Sequence, residues 1–333
     1  MTTWLAVIAI FAGFIVLAKS ADAFVDGAAA CAGNFGMSQA MVGLTVVSLG
    51  TSAPEILVSI IASLDHAPTL AVGNAIGSNI ANTGLVLGIT ALLVPIPVRE
   101  WVVRRELPIL FMITVGAGLT LVDLKLDWID GALLLLGLAA VIYILASEKG
   151  KEKPFLEEVL EEETKEHVIE LPEISTAHGI RLLAIGLVLL LISSKILVWG
   201  ATSIAVTLGV SDAVIGLTIV AIGTSLPELA ATINCAMKGH HDLALGNIIG
   251  SNIFNMVAVL PIPALLSPMV LDSAFLYRDY GFMLLLTLLL MAFAYGYPVK
   301  LSGGVISRKK GVILLSCYIL FNWTLYTTAI QST

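Results

Sequence analysis

Residues 50–55 read GTSAPE: Gly50, Thr51, Ser52, Ala53, Pro54 and Glu55. The run before them, AMVGLTVVSL, and the run after, ILVSIIASL, are mostly apolar. A proline followed by a glutamate is unexpected in a stretch suited to lipid. The same pattern returns at residues 223–228, GTSLPE, again inside an apolar run.

The surroundings explain the solvent. The chain has 333 residues, 58% hydrophobic and 12% charged, whereas a soluble domain carries about 25% charged residues. Apolar residues come in blocks such as 133–146 and 182–199, about the length needed to cross a bilayer as helices. This predicts an all-α, multi-pass membrane protein without a separate soluble domain. The run 4–18 lacks a basic flank and a clean cleavage site, so it reads as the first helix. Cys31, Cys235 and Cys317 have no metal or redox spacing and read as small buried residues. The five histidines form no ligand motif; His240 and His241 fall in a short charged turn.

Ten helices are expected, near 3–18, 40–64, 70–94, 107–122, 129–146, 179–205, 213–237, 243–266, 280–297 and 311–329. Between the fifth and sixth lies the long charged connection 147–178, with ten acidic residues and four lysines. It divides the chain into a first five-helix unit (1–146) and a second (179–333). The connection reads as a solvated linker able to form a short amphipathic helix around Phe155–Leu171; weak cation sensing is the alternative. Fourteen Lys and Arg fall in loops on its side and two, Lys125 and Arg278, on the other, while Lys195 lies within helix six. The positive-inside rule then makes the connection cytoplasmic and puts both termini outside. Arg99, Arg104 and Arg105 are expected to anchor helix ends at the cytoplasmic interface.

Residues 43–83 align with 216–256 at a constant offset of 173, with 20 of 41 positions identical. The matches concentrate on Gly, Thr, Ser, Pro, Glu and Asn rather than on aliphatic residues. The copies lie five helices apart, so they enter the membrane in opposite directions. Inverted repeats with interrupted helices are a transporter plan, with the site near the midplane where the repeats meet.

Pro54 and Pro227 lack a backbone N–H and clash with the carbonyls of Gly50 and Gly223. A kink is expected, with carbonyls near residues 48–50 left without partners. Ser48, Thr51, Ser52 and Glu55 share one helix face, as do Ala221, Thr224, Ser225 and Glu228. Each following helix adds a stripe: Asn74, Ser78 and Asn82, then Asn247, Ser251 and Asn255. The pairs Gly73/Gly77 and Gly246/Gly250 allow close helix contact. Two glutamates with hydroxyl, amide and carbonyl oxygens suit a hard cation such as calcium, and the absence of sulfur and imidazole argues against zinc or copper. Sodium or protons can neutralise the same acids, because a buried carboxylate without a cation takes up a proton. Exclusion of one ion by another at a single site makes antiport. Glycine pairs and hydroxyl stripes alone are usually packing devices; membrane-embedded glutamates are expensive and functional.

At these residues the sequence resembles the calcium/cation antiporter superfamily, the sodium/calcium exchanger family in particular, as a prokaryotic member. The likeness rests on GTSAPE…GNAIGSNIAN and GTSLPE…GNIIGSNIFN, and the ten-helix layout extends it over most of the chain. It implies that the two repeats form the ion site and that alternating access exchanges calcium for sodium, or for protons in some branches. Carried over by motif position, the ligands are Thr51, Ser52, Glu55, Ser78 and Asn82 with Thr224, Ser225, Glu228, Ser251 and Asn255; the backbone oxygens of Ser48 and Ala221 are further candidates. Members often have an aspartate where this chain has Asn255, which leaves one carboxylate fewer for the coupling ion. The central loop is too short for the calcium-sensing domains of large eukaryotic members. No cofactor is expected beyond the transported Ca2+ and Na+ (or H+), no nucleic-acid partner, and a monomer suffices. A channel using the same ligands is a rival reading. An intramembrane enzyme is a weaker one, since no G-x-S-x-G or H-E-x-x-H pattern occurs.

Overall fold

The computed structural model describes residues 3–35, 37, 39–147, 175–208, 221–295 and 304–331. The connection read as a linker, with its amphipathic segment, lies almost wholly outside these residues. The described chain is helical apart from four two-residue strands. Among the described residues six helices are long and apolar enough to cross a membrane, or seven if one bent pair counts as a span. Trp4, Phe11, Tyr143 and Trp323 are among many large apolar side chains on the outside, a surface suited to lipid rather than water.

Helix α1 spans Thr3–Phe35. A first half-helix α2 (Gly43–Thr51) meets α3 (Ala53–Leu64) at a bend of 47°. Then come α4 (Pro68–Leu93), α5 (Leu107–Thr120) and α6 (Trp128–Ser147). The second half runs α7 (Thr176–Thr207), the half-helices α8 (Ala221–Thr224) and α9 (Leu226–Met237), α10 (His241–Leu266), α11 (Phe275–Ala294) and α12 (Arg308–Gln331). The part of the seventh expected helix before Ala221 lies outside the described residues.

One boundary differs greatly. The first helix was expected over 3–18 and continues to Phe35. Asp22 and Asp26 do not end it, because both carboxylates pair with Lys238, at 2.6 and 2.5 Å. The following GAAACA (27–32) is dominated by alanine, the strongest helix former. At 1.5 Å per residue the 33-residue helix is about 50 Å long, which a bilayer accommodates by tilt.

Helices α1 and α7 pack antiparallel along their length. Gly13 faces Leu197, Gly27 faces Leu183, Gly186 faces Phe24 and Gly200 faces Ile10, so the numbers in every pair add to 210. At Gly27 a Cβ would lie 2.3 Å from the Leu183 nitrogen, so only glycine allows this backbone approach. Gly13 and Gly186, like Gly27 and Gly200, are themselves 173 residues apart.

The same offset reappears where identity is low. Single π-helical turns occur at Asn82–Val86 and Asn255–Val259, and at Val102–Glu106 and Phe275–Tyr280. Such turns recur at functional sites. Four short strands, which the sequence did not announce, are present, and two of them, Ile96–Pro97 and Met269–Val270, share the offset. β1 (Ile96–Pro97) pairs antiparallel with β4 (Val305–Ile306), and β2 (Lys125–Leu126) with β3 (Met269–Val270). Each pair joins one half of the chain to the other. Arg99, expected as an interface anchor, reaches the buried Asp242 on α10 at 2.8 Å. Arg104 pairs with Glu100 and Arg105 with Glu106. Cys31 and Cys235 are buried and Cys317 half-buried, all as free thiols.

Candidate functional site: a buried oxygen cluster between two broken helices

The helix breaks fall on serines. Ser52 (φ −82°, ψ 4°) and Ser225 (φ −90°, ψ 3°) leave helical geometry. Pro54 and Pro227 then sit in the first turn of α3 and α9, where a missing N–H has no consequence. Each serine carbonyl accepts the first bond of the new helix, from Ile56 N–H at 3.2 Å and Leu229 N–H at 3.0 Å. Glu55 and Glu228 therefore stand in the first turns of half-helices, near the positive ends of their dipoles. The expectation of orphaned carbonyls is corrected at Ser48, whose carbonyl accepts Ser52 N–H at 2.9 Å. The Ser48 hydroxyl in turn donates to the Leu44 carbonyl at 2.6 Å.

The side chains meet across the two halves. Thr51 Oγ1 donates to Asn247 Oδ1 at 3.1 Å, and Asn247 Nδ2 donates to Thr232 at 2.9 Å. Ser52 Oγ approaches Glu228 Oε1 at 3.4 Å, and Ser78 Oγ approaches Glu55 Oε1 at 3.5 Å. Both contacts are long and weak. Asn74 Nδ2 reaches the Glu55 carbonyl at 3.4 Å. Ser48, Thr51, Ser52, Glu55, Ser78, Asn82, Ser225, Glu228, Ser251 and Asn255 are all buried. Thr224 is half-buried, and Ala221 opens α8 with its backbone alone described.

Three asparagines form a lattice beneath. Asn79 Nδ2 donates to the Asn252 carbonyl at 3.0 Å, and Asn255 Nδ2 donates to Asn79 Oδ1 at 3.0 Å. Asn252 Nδ2 donates to Thr83 Oγ1 at 2.9 Å. Asn79 and Asn252 are positioning residues that the motif reading passed over. The identical GSN in both copies was the signal that marked them.

Six buried side-chain oxygens of the expected ligand residues have no hydrogen-bond partner among the described residues: Glu55 Oε2, Glu228 Oε2, Ser225 Oγ, Ser251 Oγ, Asn82 Oδ1 and Asn255 Oδ1. Buried polar atoms are normally paired, and each unpaired one costs on the order of 1–3 kcal/mol. A cluster of such oxygens from both halves has the chemistry that suits a hard cation. No group of three or more His, Cys, Asp or Glu side chains that could hold a metal ion occurs among the described residues, so the acids of this cluster are the two glutamates. Of the expected glycine contacts, Gly250 is tight: a Cβ there would lie 2.5 Å from the Leu44 carbonyl oxygen and from Ser48 Oγ. Gly73 and Gly77 have no described atom that near; the segment that would match Leu44 in the second copy, around 217, lies outside the described residues.

Comparison with known proteins identifies the family. The family model described as sodium/calcium exchanger protein matches residues 5–146 and 178–327. The putative antiporter CaxA of Alkalimonas amylolytica is 44% identical over 326 residues, covering 97% of this chain and 99% of its own. The sodium/calcium exchanger MaX1 of Methanosarcina acetivorans is 31% identical, covering 93% and 95%. Among solved structures, the sodium-calcium exchanger NCX_Mj soaked with zero Na+ and Ca2+ superimposes with a TM-score of 0.80 at 34% identity, over 96% of this chain and 98% of that one. A family model that spans both motif copies, and relatives alike from end to end, lead to one conclusion: the chain is a multi-pass membrane protein of the sodium/calcium exchanger family, an antiporter family and not a family of enzymes.

Proposed function

We propose that the protein exchanges calcium for sodium by alternating access at a midplane site shared by two inverted five-helix repeats. The observation that carries this reading is the set of six buried, unpartnered oxygens drawn from both copies of the motif. Calcium takes six to eight oxygens in flexible geometry, and two carboxylates balance its charge. The ligands are Glu55 and Glu228 first, then Thr51, Ser52, Ser78, Asn82, Thr224, Ser225, Ser251 and Asn255, with the Ser48 and Ala221 carbonyls at the margin.

The repeats are residues 1–146 and 179–333, each crossing the membrane five times, joined by the cytoplasmic connection 147–178 with both termini outside. The antiparallel packing of α1 on α7, the π-turns repeated at one offset and the two strand pairs that link the halves support this. A monomer contains the whole site. Sodium is the coupling ion by likeness to relatives named sodium/calcium exchangers. Proton coupling is the second reading, because a buried glutamate without a cation takes up a proton.

The test is calcium uptake by proteoliposomes under an imposed sodium gradient and then under a pH gradient. Uptake that saturates and requires sodium on the opposite side supports the reading. Uptake driven only by the pH gradient selects proton coupling, and flux needing no counter-ion makes the protein a channel.

A further inference from the structure

The offset of 173 relates the two seams beside the site, and they differ. On one, α1 packs along α9: Ala28 of α1 and Ala231 and Cys235 of α9 are fully buried in one apolar cluster. The related seam lies between α7 and α3. It holds a cavity of about 660 Å3 lined by Val58 and Ile61 of α3, Lys195 and Thr202 of α7, and Pro54 and Thr224 from the two motifs. Val58 is the counterpart of Ala231, yet one lines a cavity and the other is sealed. A cavity thus reaches Pro54 and Thr224 of the two motifs at one seam, while the twin seam is sealed.

The shut seam ends in a clasp. Lys238, just past α9, holds Asp22 Oδ1 at 2.6 Å and Asp26 Oδ1 at 2.5 Å, both on α1. The counterpart of Asp22 is Lys195, and that of Lys238 is Asp65. The Asp22–Lys238 pairing therefore recurs in place with its signs reversed, while the counterpart of Asp26 is Trp199, which also lines the cavity. Lys195 lines the open cavity, Asp65 is exposed just past α3, and neither makes an ion pair among the described residues.

We propose that the Asp22–Lys238–Asp26 clasp latches one gate, and that Lys195 and Asp65 are its charge-reversed twin, pairing when the cavity closes. A carrier that alternates about a fixed site must exchange one closed seam for the other. Two latches, one formed in each state, offset one another in part, because an ion pair biases an equilibrium only by its difference between the two states. By the positive-inside orientation, Lys238 guards the cytoplasmic gate and Asp65 the outer one. The latch rests on the alternating-access reading.

The test uses thiol labelling from each side of the membrane, with Cys31 and Cys317 replaced. Native Cys235 reports the shut seam, labelled with an impermeant maleimide from the Lys238 face. A Val58→Cys probe, in a Cys235→Ala background, reports the cavity from the opposite face. Lys238→Gln is expected to raise Cys235 labelling about three- to fivefold, the scale of a partly exposed ion pair, and to lower Val58→Cys labelling reciprocally. Lys238→Arg keeps both rates, and Asp65→Asn added to Lys238→Gln reverses the fall at Val58→Cys. A rise at Cys235 without the reciprocal fall means local fraying and overturns the proposal, as does no change at either probe. Calcium flux in the same vesicles separates the two levels: wild-type exchange without reciprocal labelling removes the latch alone, and absence of exchange removes the reading beneath it.

Discussion

The two copies of the motif share GTS, P and E, yet their bonds differ. Ser52 N–H returns four residues to the Ser48 carbonyl at 2.9 Å, whereas Ser225 N–H returns three, to Ile222 at 3.1 Å, and passes over Ala221. Ser52 Oγ reaches Glu228 in the other half, while Ser225 Oγ has no described partner. Ser78 approaches Glu55, while the Ser251 hydroxyl is also unpartnered. Asn255 is held by Asn79, whereas both polar atoms of the Asn82 side chain lack partners. Near-identical sequence thus occupies two environments. Such asymmetry is what a site open to one side requires, since a strictly symmetric arrangement would be open or closed to both faces at once.

The comparison is broken most sharply at the acids. Glu55→Gln and Glu228→Gln are each expected to reduce sodium-driven calcium uptake by about two orders of magnitude, since each removes one of only two charges at the site. A folded variant that transports normally would mean that the halves do not share the ion. Gly250→Ala comes next. Its methyl meets the Leu44 carbonyl and Ser48 Oγ, and the expected loss is about 1–3 kcal/mol of stability, read as a fall in melting temperature. Ser48→Ala in the same chain should recover part of it, because the two sites touch.

The asparagines sharpen the contrast. Asn255→Ala removes a ligand pre-oriented by Asn79 and should weaken calcium binding about tenfold. Asn82→Ala removes an oxygen with no such support and should cost about threefold, both read by calorimetric titration of purified protein. Equal losses would show that the lattice orients nothing. Smallest is Ser48→Ala alone: its hydroxyl is committed to the Leu44 carbonyl, so calcium affinity should change by less than about twofold.

Much of this was legible in the sequence because it rests on local chemistry. Pro54, Pro227 and the flanking glycines announced broken helices, and hydroxyls at helical spacing announced a face of oxygens. The position of the break was less legible: proline marks the first turn of the new helix, and the non-helical residue is the serine before it. The length of α1 was hidden because Asp22 and Asp26 look like a helix end until Lys238, more than 200 residues away in the chain, supplies their charge partner. The π-turns and short strands left no compositional trace. Their bonds depend on packing between halves, which no local pattern encodes.

The central claim is that Glu55 and Glu228 hold one calcium ion between them. An anomalous difference map from calcium-soaked crystals tests it directly. The account predicts a single strong peak about 2.3–2.6 Å from a carboxylate oxygen of each glutamate, with Ser, Thr or Asn oxygens completing the shell. A peak touching only one of the two, or carboxylates turned into separate crevices, would contradict it.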